Sequence, residues 1–160
     1  NFASQNLSKI QGTPTTALAD TQRGIISEPL DIWILSRLNQ AVKKATQEFE
    51  RYEYCDARVA AEDFFWNDFC DNYLELVKAR AYGMPAGTPS LTSDSAVSAA
   101  AAPATGALAK PQQSALYTLY HCLDGILRLF APFVPHITEE LYSLLFDDRY
   151  AKTGSVHARN

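Results

Sequence analysis

The spacing of large apolar residues restricts this chain more than any other feature. Four stretches repeat them at three- and four-residue steps, and none shows the two-residue alternation of a half-buried strand. In the first, Ile34, Leu38, Ala41, Val42, Ala45 and Phe49 form one face of a helix that starts at Ser27-Glu28-Pro29 and ends near Arg51. The second runs from about Asp56 to Tyr82. Ala61, Phe65, Phe69, Tyr73 and Val77 step by four, Trp66, Cys70 and Leu74 widen that face, and Asp68, Asp71, Glu75 and Lys78 lie opposite. Gly83 and Pro85 stop it. The third begins after Pro111 and carries Leu116, Leu119, Tyr120, Leu123, Leu127 and Phe130. Pro132 and Pro135 end it, because proline cannot continue the backbone ladder. The fourth starts near Pro135 or His136, with Ile137, Leu141, Leu144 and Leu145 as its apolar face.

Four amphipathic helices without strands predict an all-α fold. Short links between helices one and two and between three and four make those neighbours antiparallel, so the expected architecture is an up-down-up-down four-helix bundle over 29–150. Residues 1–28 read as an N-terminal segment: a remnant of a preceding helix with Phe2, Leu7 and Ile10, then a loop over 13–27. Residues 84–110 are rich in Ala, Ser, Thr and Pro and have few large apolar groups to offset ordering entropy, which predicts an inserted surface loop with at most a short helix near Ser95–Ala102. Residues 151–160 read as an extended tail.

At 160 residues and 47% hydrophobic, the chain is long enough for one real core, and disorder throughout is excluded. No apolar run approaches the roughly 18 residues of a membrane span. The net charge of −4 argues against a broad basic nucleic-acid surface but leaves room for a local basic patch. Cys55, Cys70 and Cys122 form no Cys-x-x-Cys pair, and His121, His136 and His157 show no metal-ligand spacing, so the reading is a reduced cytoplasmic protein with no metal site. No phosphate-binding glycine loop occurs. No residue is assigned a catalytic role.

Three blocks go further. Phe64-Phe65-Trp66-Asn67-Asp68-Phe69-Cys70-Asp71-Asn72-Tyr73-Leu74-Glu75-Leu76-Val77-Lys78-Ala79-Arg80 resembles the signature helix of the anticodon-binding domain of valyl-tRNA synthetases, approximately F-W-x-x-F-C-D-W-Y-L-E-L-x-K-P-R. Asp31-Ile32-Trp33-Ile34-Leu35-Ser36-Arg37-Leu38-Asn39 is similar to that family's D-x-W-I-L-S-R-L-N. The run from Ala131-Pro132-Phe133-Val134-Pro135 through Glu139-Glu140-Leu141-Tyr142 resembles H-P-F-M-P-F-I-T-E-E-L-W, and Ser155-Val156-His157 its S-I-H. Asn72, Ala79, Ala131 and His136 depart from the pattern.

The resemblance implies a class I synthetase anticodon-binding bundle that grips the anticodon region of valine tRNA. ATP-dependent ligation of valine would fall to a catalytic domain of the parent enzyme, since the His-Ile-Gly-His and Lys-Met-Ser-Lys-Ser motifs are absent here. It implies no cofactor in this chain, ATP in the catalytic domain, no membrane partner and a monomer. The candidate tRNA contacts are Arg37, Lys43, Lys44, Arg51, Tyr52, Arg58, Lys78, Arg80 and Tyr82, cationic or aromatic groups able to hold phosphates or stack on unpaired bases. Those flanking the first interhelix turn and those closing the second helix are expected at opposite ends. Phe65, Trp66, Phe69 and Tyr73 read as core, Trp33 as packing, Cys70 as a buried small hydrophobe, Glu139 and Glu140 as helix-start carboxylates, His136 as a turn residue, and Asn67 and Asp71, one turn apart on the same helix, as groups that fix a hydrogen bond to a neighbouring helix. The rival function is a stand-alone interaction module that descends from such a domain and no longer binds tRNA.

Overall fold

The computed structural model describes residues 6–7, 9–10, 14–83, 109–147 and 155–156. Among them every regular element is helical. The expected loop at 84–110 lies outside the described residues except for Ala109 and Lys110, and only Ser155 and Val156 of the expected tail are described.

The expected loop over 13–27 contains a short helix, α1 (Ala17–Gln22). Thr16 caps it by accepting from the Ala19 N–H at 3.3 Å. Asp20, fully buried, ties this segment to the body of the fold. Its carboxylate accepts from Thr15 Oγ1 at 2.7 Å and meets His121 Nε2 at 2.8 Å.

α2 (Pro29–Glu50) opens with proline at its first position, where no N–H is needed. It ends in a six-to-one cap, in which Glu53 N–H donates to the Glu48 carbonyl at 2.9 Å and Tyr52 N–H to Phe49 at 3.0 Å. The second helix of the sequence is a continuous rod of three parts: α3 (Tyr54–Asp63), a π-helical segment (Phe64–Tyr73) and α4 (Leu74–Ala81). It runs antiparallel to α2, so that Asp31 faces Arg80, Arg37 faces Asp68, and Phe49 lies against Tyr54. α5 (Lys110–Phe130) runs parallel to α2. Ser114 near its start meets Asp31, and Gly125 approaches Leu38 so closely that a Cβ there would lie 2.8 Å from Leu38 Cδ2. A turn at 131–134 leads into α6 (Pro135–Tyr142) and a terminal π turn (Ser143–Asp147).

The main core joins Ile34 and Leu38 of α2, Phe64, Phe69, Tyr73 and Val77 of the rod, and Leu116, Leu119, Cys122 and Ile126 of α5. A second cluster gathers Leu7, Tyr120, Leu127, Tyr142, Phe146 and Val156.

The π winding changes which aromatics fill the core. A wider turn brings residues five apart onto one face, as in Asn72 Nδ2 donating to the Asn67 carbonyl at 2.6 Å. The buried series therefore runs Ala60, Phe64, Phe69, Tyr73, Val77, Ala81, with one five-residue step. Phe64 takes the place expected for Phe65, which is half-buried against Phe130 at 5.8 Å. Trp66, expected in the core, is 58% exposed. Cys70 is half-buried. Asn67 donates to Asp63 Oδ1 at 2.6 Å within its own helix and Asp71 is exposed, so the hydrogen bond to another helix expected of this pair gives way to a bond along one helix.

α6 also departs from expectation. Across α6 and the π turn that continues it, Thr138, Tyr142 and Phe146 are buried, while Ile137, Leu141 and Leu144 face solvent. Glu139 is more than a helix-start carboxylate: its Oε2 accepts from Ser155 Oγ at 2.8 Å and the Val156 N–H at 3.1 Å, fastening the tail to α6.

Candidate nucleic-acid interface

The outer arc of α2 carries Ile32, Trp33, Ser36, Arg37, Asn39, Gln40, Lys43, Lys44 and Gln47. From 32 to 47 it holds three cations and no carboxylate, in a chain whose net charge is −4. Sixteen residues at 1.5 Å rise give a strip about 24 Å long. Lys43 and Lys44 are exposed. Arg37 is held in place, its Nε donating to Asp68 Oδ2 at 2.9 Å and Nη1 to Gln40 Oε1 at 3.1 Å, with its side chain 40% exposed. Trp33, read as packing, is 39% exposed and lies one turn from Arg37 on the same edge. A line of ammonium and guanidinium groups interleaved with side-chain amides and one partly open indole suits a phosphodiester backbone and its bases.

The remaining candidates are dispersed. Arg51, Tyr52 and Arg58 sit at the α2–α3 turn, about 30 Å along α2 from the Asp31 end. There Glu48 lies 3.8 Å from Arg51, Glu62 pairs with Arg58, and Glu50, Glu53 and Asp56 are exposed, so carboxylates outnumber cations. Tyr52 is 76% exposed and packs edge-on to Tyr54 with ring centroids 6.3 Å apart. Its φ of +64° places it in the left-handed region, where the equivalent caps of α1 and α4 have Gly24 and Gly83. Aromatic surface is offered here, but within an acidic field that opposes phosphate.

At the opposite end Lys78 pairs with Glu75, and Lys9 Nζ stands 5.2 Å above the Tyr82 ring. Arg80 belongs to the framework. Its Nη2 and Nη1 donate to Asp31 at 2.6 and 3.1 Å, and its side chain is only 16% exposed. Burial pulls its proton affinity down, but the Asp31 hydrogen bond and charge outweigh that and leave it raised. The structure thus groups Arg37, Lys43 and Lys44, separates the other six into two ends, and sets Arg80 inside a buried ion pair.

Ser36, Asn39, Gln40 and Gln47 were not among the candidates drawn from sequence. The sixteen residues free of Asp and Glu were the available signal. Among the described residues no three His, Cys, Asp or Glu side chains gather as a metal site, and no helix is long and apolar enough to cross a membrane.

Comparison with known proteins bears on the family of the fold. The family model described as "Anticodon-binding domain of tRNA ligase" matches residues 31–160. Valine–tRNA ligase of Wolbachia sp. subsp. Brugia malayi is 44% identical over 134 residues, covering 84% of this chain and 13% of that protein. Valine–tRNA ligase of Rickettsia felis is 39% identical over 159 residues, 99% of this chain and 16% of the relative. That of Orientia tsutsugamushi is 38% identical over 139 residues, 87% and 14% respectively. This chain therefore spans about one-seventh of the length of these relatives. No solved structure matches it. With three packed helical blocks in the expected order and a family match from Asp31 to the last residue, the chain belongs to the anticodon-binding domains of tRNA ligases.

Proposed function

We propose that this chain is the tRNA-gripping domain of a valine-type aminoacyl-tRNA synthetase, folded as an up-down-up-down four-helix bundle over 29–150. The outer arc of α2 holds the anticodon stem-loop. Lys43 and Lys44 neutralise phosphates, and Arg37, its charge balanced by Asp68, offers its remaining guanidinium N–H groups and helps fix the register of the RNA. Asn39, Gln40 and Gln47 offer donors and acceptors to base edges, and Trp33 offers an indole face to an unstacked base. The ligation of valine, with its use of ATP, takes place in a part of the enzyme outside this chain. This domain contributes binding and selection. The whole enzyme is read as a cytoplasmic monomer.

The single observation that carries this reading is the run of α2 without acidic residues on an otherwise acidic chain. An acidic domain holds RNA through a local patch, because only the contacted phosphates need cations. A filter-binding titration with valine tRNA and a non-cognate tRNA, at two salt concentrations, tests it. Preference for valine tRNA with a salt-dependent component supports the proposal, and equal or absent binding of both contradicts it.

A further inference from the structure

The solvent side of α6 carries an apolar row that nothing in the described fold covers. Val134 is 39% exposed, Ile137 60%, Leu141 42% and Leu144 72%, at helical steps of three and four. Exposed His136, Glu140 and Ser143 border the row. The inner face of the same helix is already occupied by Thr138, Tyr142 and Phe146. An apolar centre with a polar rim is the make-up of a contact surface rather than of a solvated helix.

We propose that this row is the seat of another part of the same, longer polypeptide, an apolar surface outside these 160 residues. The inference rests on the reading that the chain is one domain of a larger ligase. Two observations select that occupant. First, four side chains offer on the order of a few hundred Å², the size at which an exposed apolar patch marks an interaction. That is short of the ~800 Å² per partner of a stable free association. A covalently linked neighbour needs less area, since the link supplies its effective concentration. Second, the relatives extend far beyond this domain, which makes up 13–16% of them. The second copy of the chain is therefore the weaker occupant, and RNA finds no cation in the row.

Hydroxyl-radical footprinting of the full-length enzyme tests this, with exposed Leu18 as the internal reference. Leu18 and Leu144 are 69% and 72% exposed in this fold, so bare surfaces would be oxidised alike. The expected result is that Ile137, Leu141 and Leu144 are oxidised severalfold more slowly than Leu18 at every protein concentration. Leu144→Asp should then raise oxidation of Ile137 and Leu141 severalfold with the helical circular-dichroism signal unchanged. Oxidation at the Leu18 rate in the unaltered enzyme overturns the proposal. So does protection that disappears on dilution, which would mark a second copy. Loss of valine-tRNA preference with the footprint intact would count against the RNA reading alone. An open footprint with tRNA preference intact would count against this inference alone.

Discussion

Arg80 closes on Asp31 across the α2–α4 interface with two N–H donors at 2.6 and 3.1 Å, and this pair fixes one end of the fold. The Asp31 carboxylate, fully buried, also accepts from Tyr73 Oη at 2.8 Å and Ser114 Oγ at 2.6 Å. Ser114 Oγ in turn accepts from the Ser27 N–H at 3.2 Å. One carboxylate thus joins α2, the π segment, α4 and α5. Removing it would leave a mostly buried guanidinium without its charge partner. Asp31→Ala should cost about 3–5 kcal/mol in urea unfolding. Arg80→Lys, which keeps the charge and loses the fork, should cost less.

The π segment makes a discriminating prediction about its aromatics. Phe64→Ala should destabilise by about 3–5 kcal/mol, as should Phe69→Ala and Tyr73→Ala, because all three are core. Trp66→Ala should change stability by less than about 1 kcal/mol, since its indole is 58% exposed. A regular α-helix through this region would bring Phe65 into the Phe64 position and reverse the order of Phe64 and Phe65 in thermal melts.

Gly125 marks the closest approach of α5 to α2. In Gly125→Ala the new Cβ would sit 2.8 and 3.0 Å from the Leu38 methyls. Crowding of about 1–3 kcal/mol opposes a helix-propensity gain of about 1 kcal/mol. The variant should be less stable. Combined with Leu38→Ala, its cost should fall below the sum of the two single changes by about 0.5–3 kcal/mol.

Tyr52→Gly should raise stability by about 1 kcal/mol, because glycine accepts the left-handed backbone at no steric cost. Its side chain lies in the acidic α2–α3 turn, so tRNA affinity should hold. A fall in tRNA affinity, measured by the same titration, would bring the exposed Tyr52–Tyr54 pair into the RNA site.

The thiols and the buried phenol set the alkaline limit. Burial, then the Asp31 charge, pushes both the Cys122 thiol and the Tyr73 phenol well above their ordinary ranges. The fold therefore holds these protons more tightly than the unfolded chain, which releases them from about pH 8.5 and about pH 10. Stability is fully present below about pH 8.5 and falls as pH rises past it, with a further fall beyond about pH 10. Urea midpoints across that window check the sign. Cys122→Ala should shrink the first fall to the part left by half-buried Cys70, and Tyr73→Phe the second to the part left by Tyr117, since burial also raises those two groups. In a thiol-reagent assay at neutral pH, exposed Cys55 should react first, half-buried Cys70 more slowly, and Cys122 only on unfolding.

The helices were legible because their punctuation is local: Pro29, Gly83 and Pro135 act within a turn of themselves. Helix faces were less legible. The four-step series through Phe65 assumed one α period, and the π winding at Phe64–Tyr73 moved the core by one residue and put Trp66 outside. Ile137, Leu141 and Leu144 share a face as expected, but which face of α6 packs inward depends on Tyr142 and Phe146 meeting the Tyr120 side of α5. Arg80 read as an open cation because Asp31, its partner, lies 49 residues earlier. Lys43 and Lys44, by contrast, were legible, since a surface helix segment without carboxylates exposes its lysines whatever the neighbours do.

The outer arc of α2 as the RNA-gripping surface is the central claim. Salt-dependent binding of valine tRNA, compared between the unaltered protein, the pair Lys43→Gln with Lys44→Gln, and the pair Arg51→Gln with Arg58→Gln, tests it most directly. The α2 pair should weaken binding and lower the slope of log affinity against log salt by about one per phosphate-contacting lysine, while the turn pair leaves both nearly unchanged. A turn pair that removes the salt dependence, with the α2 pair binding as the unaltered protein does, would contradict the account.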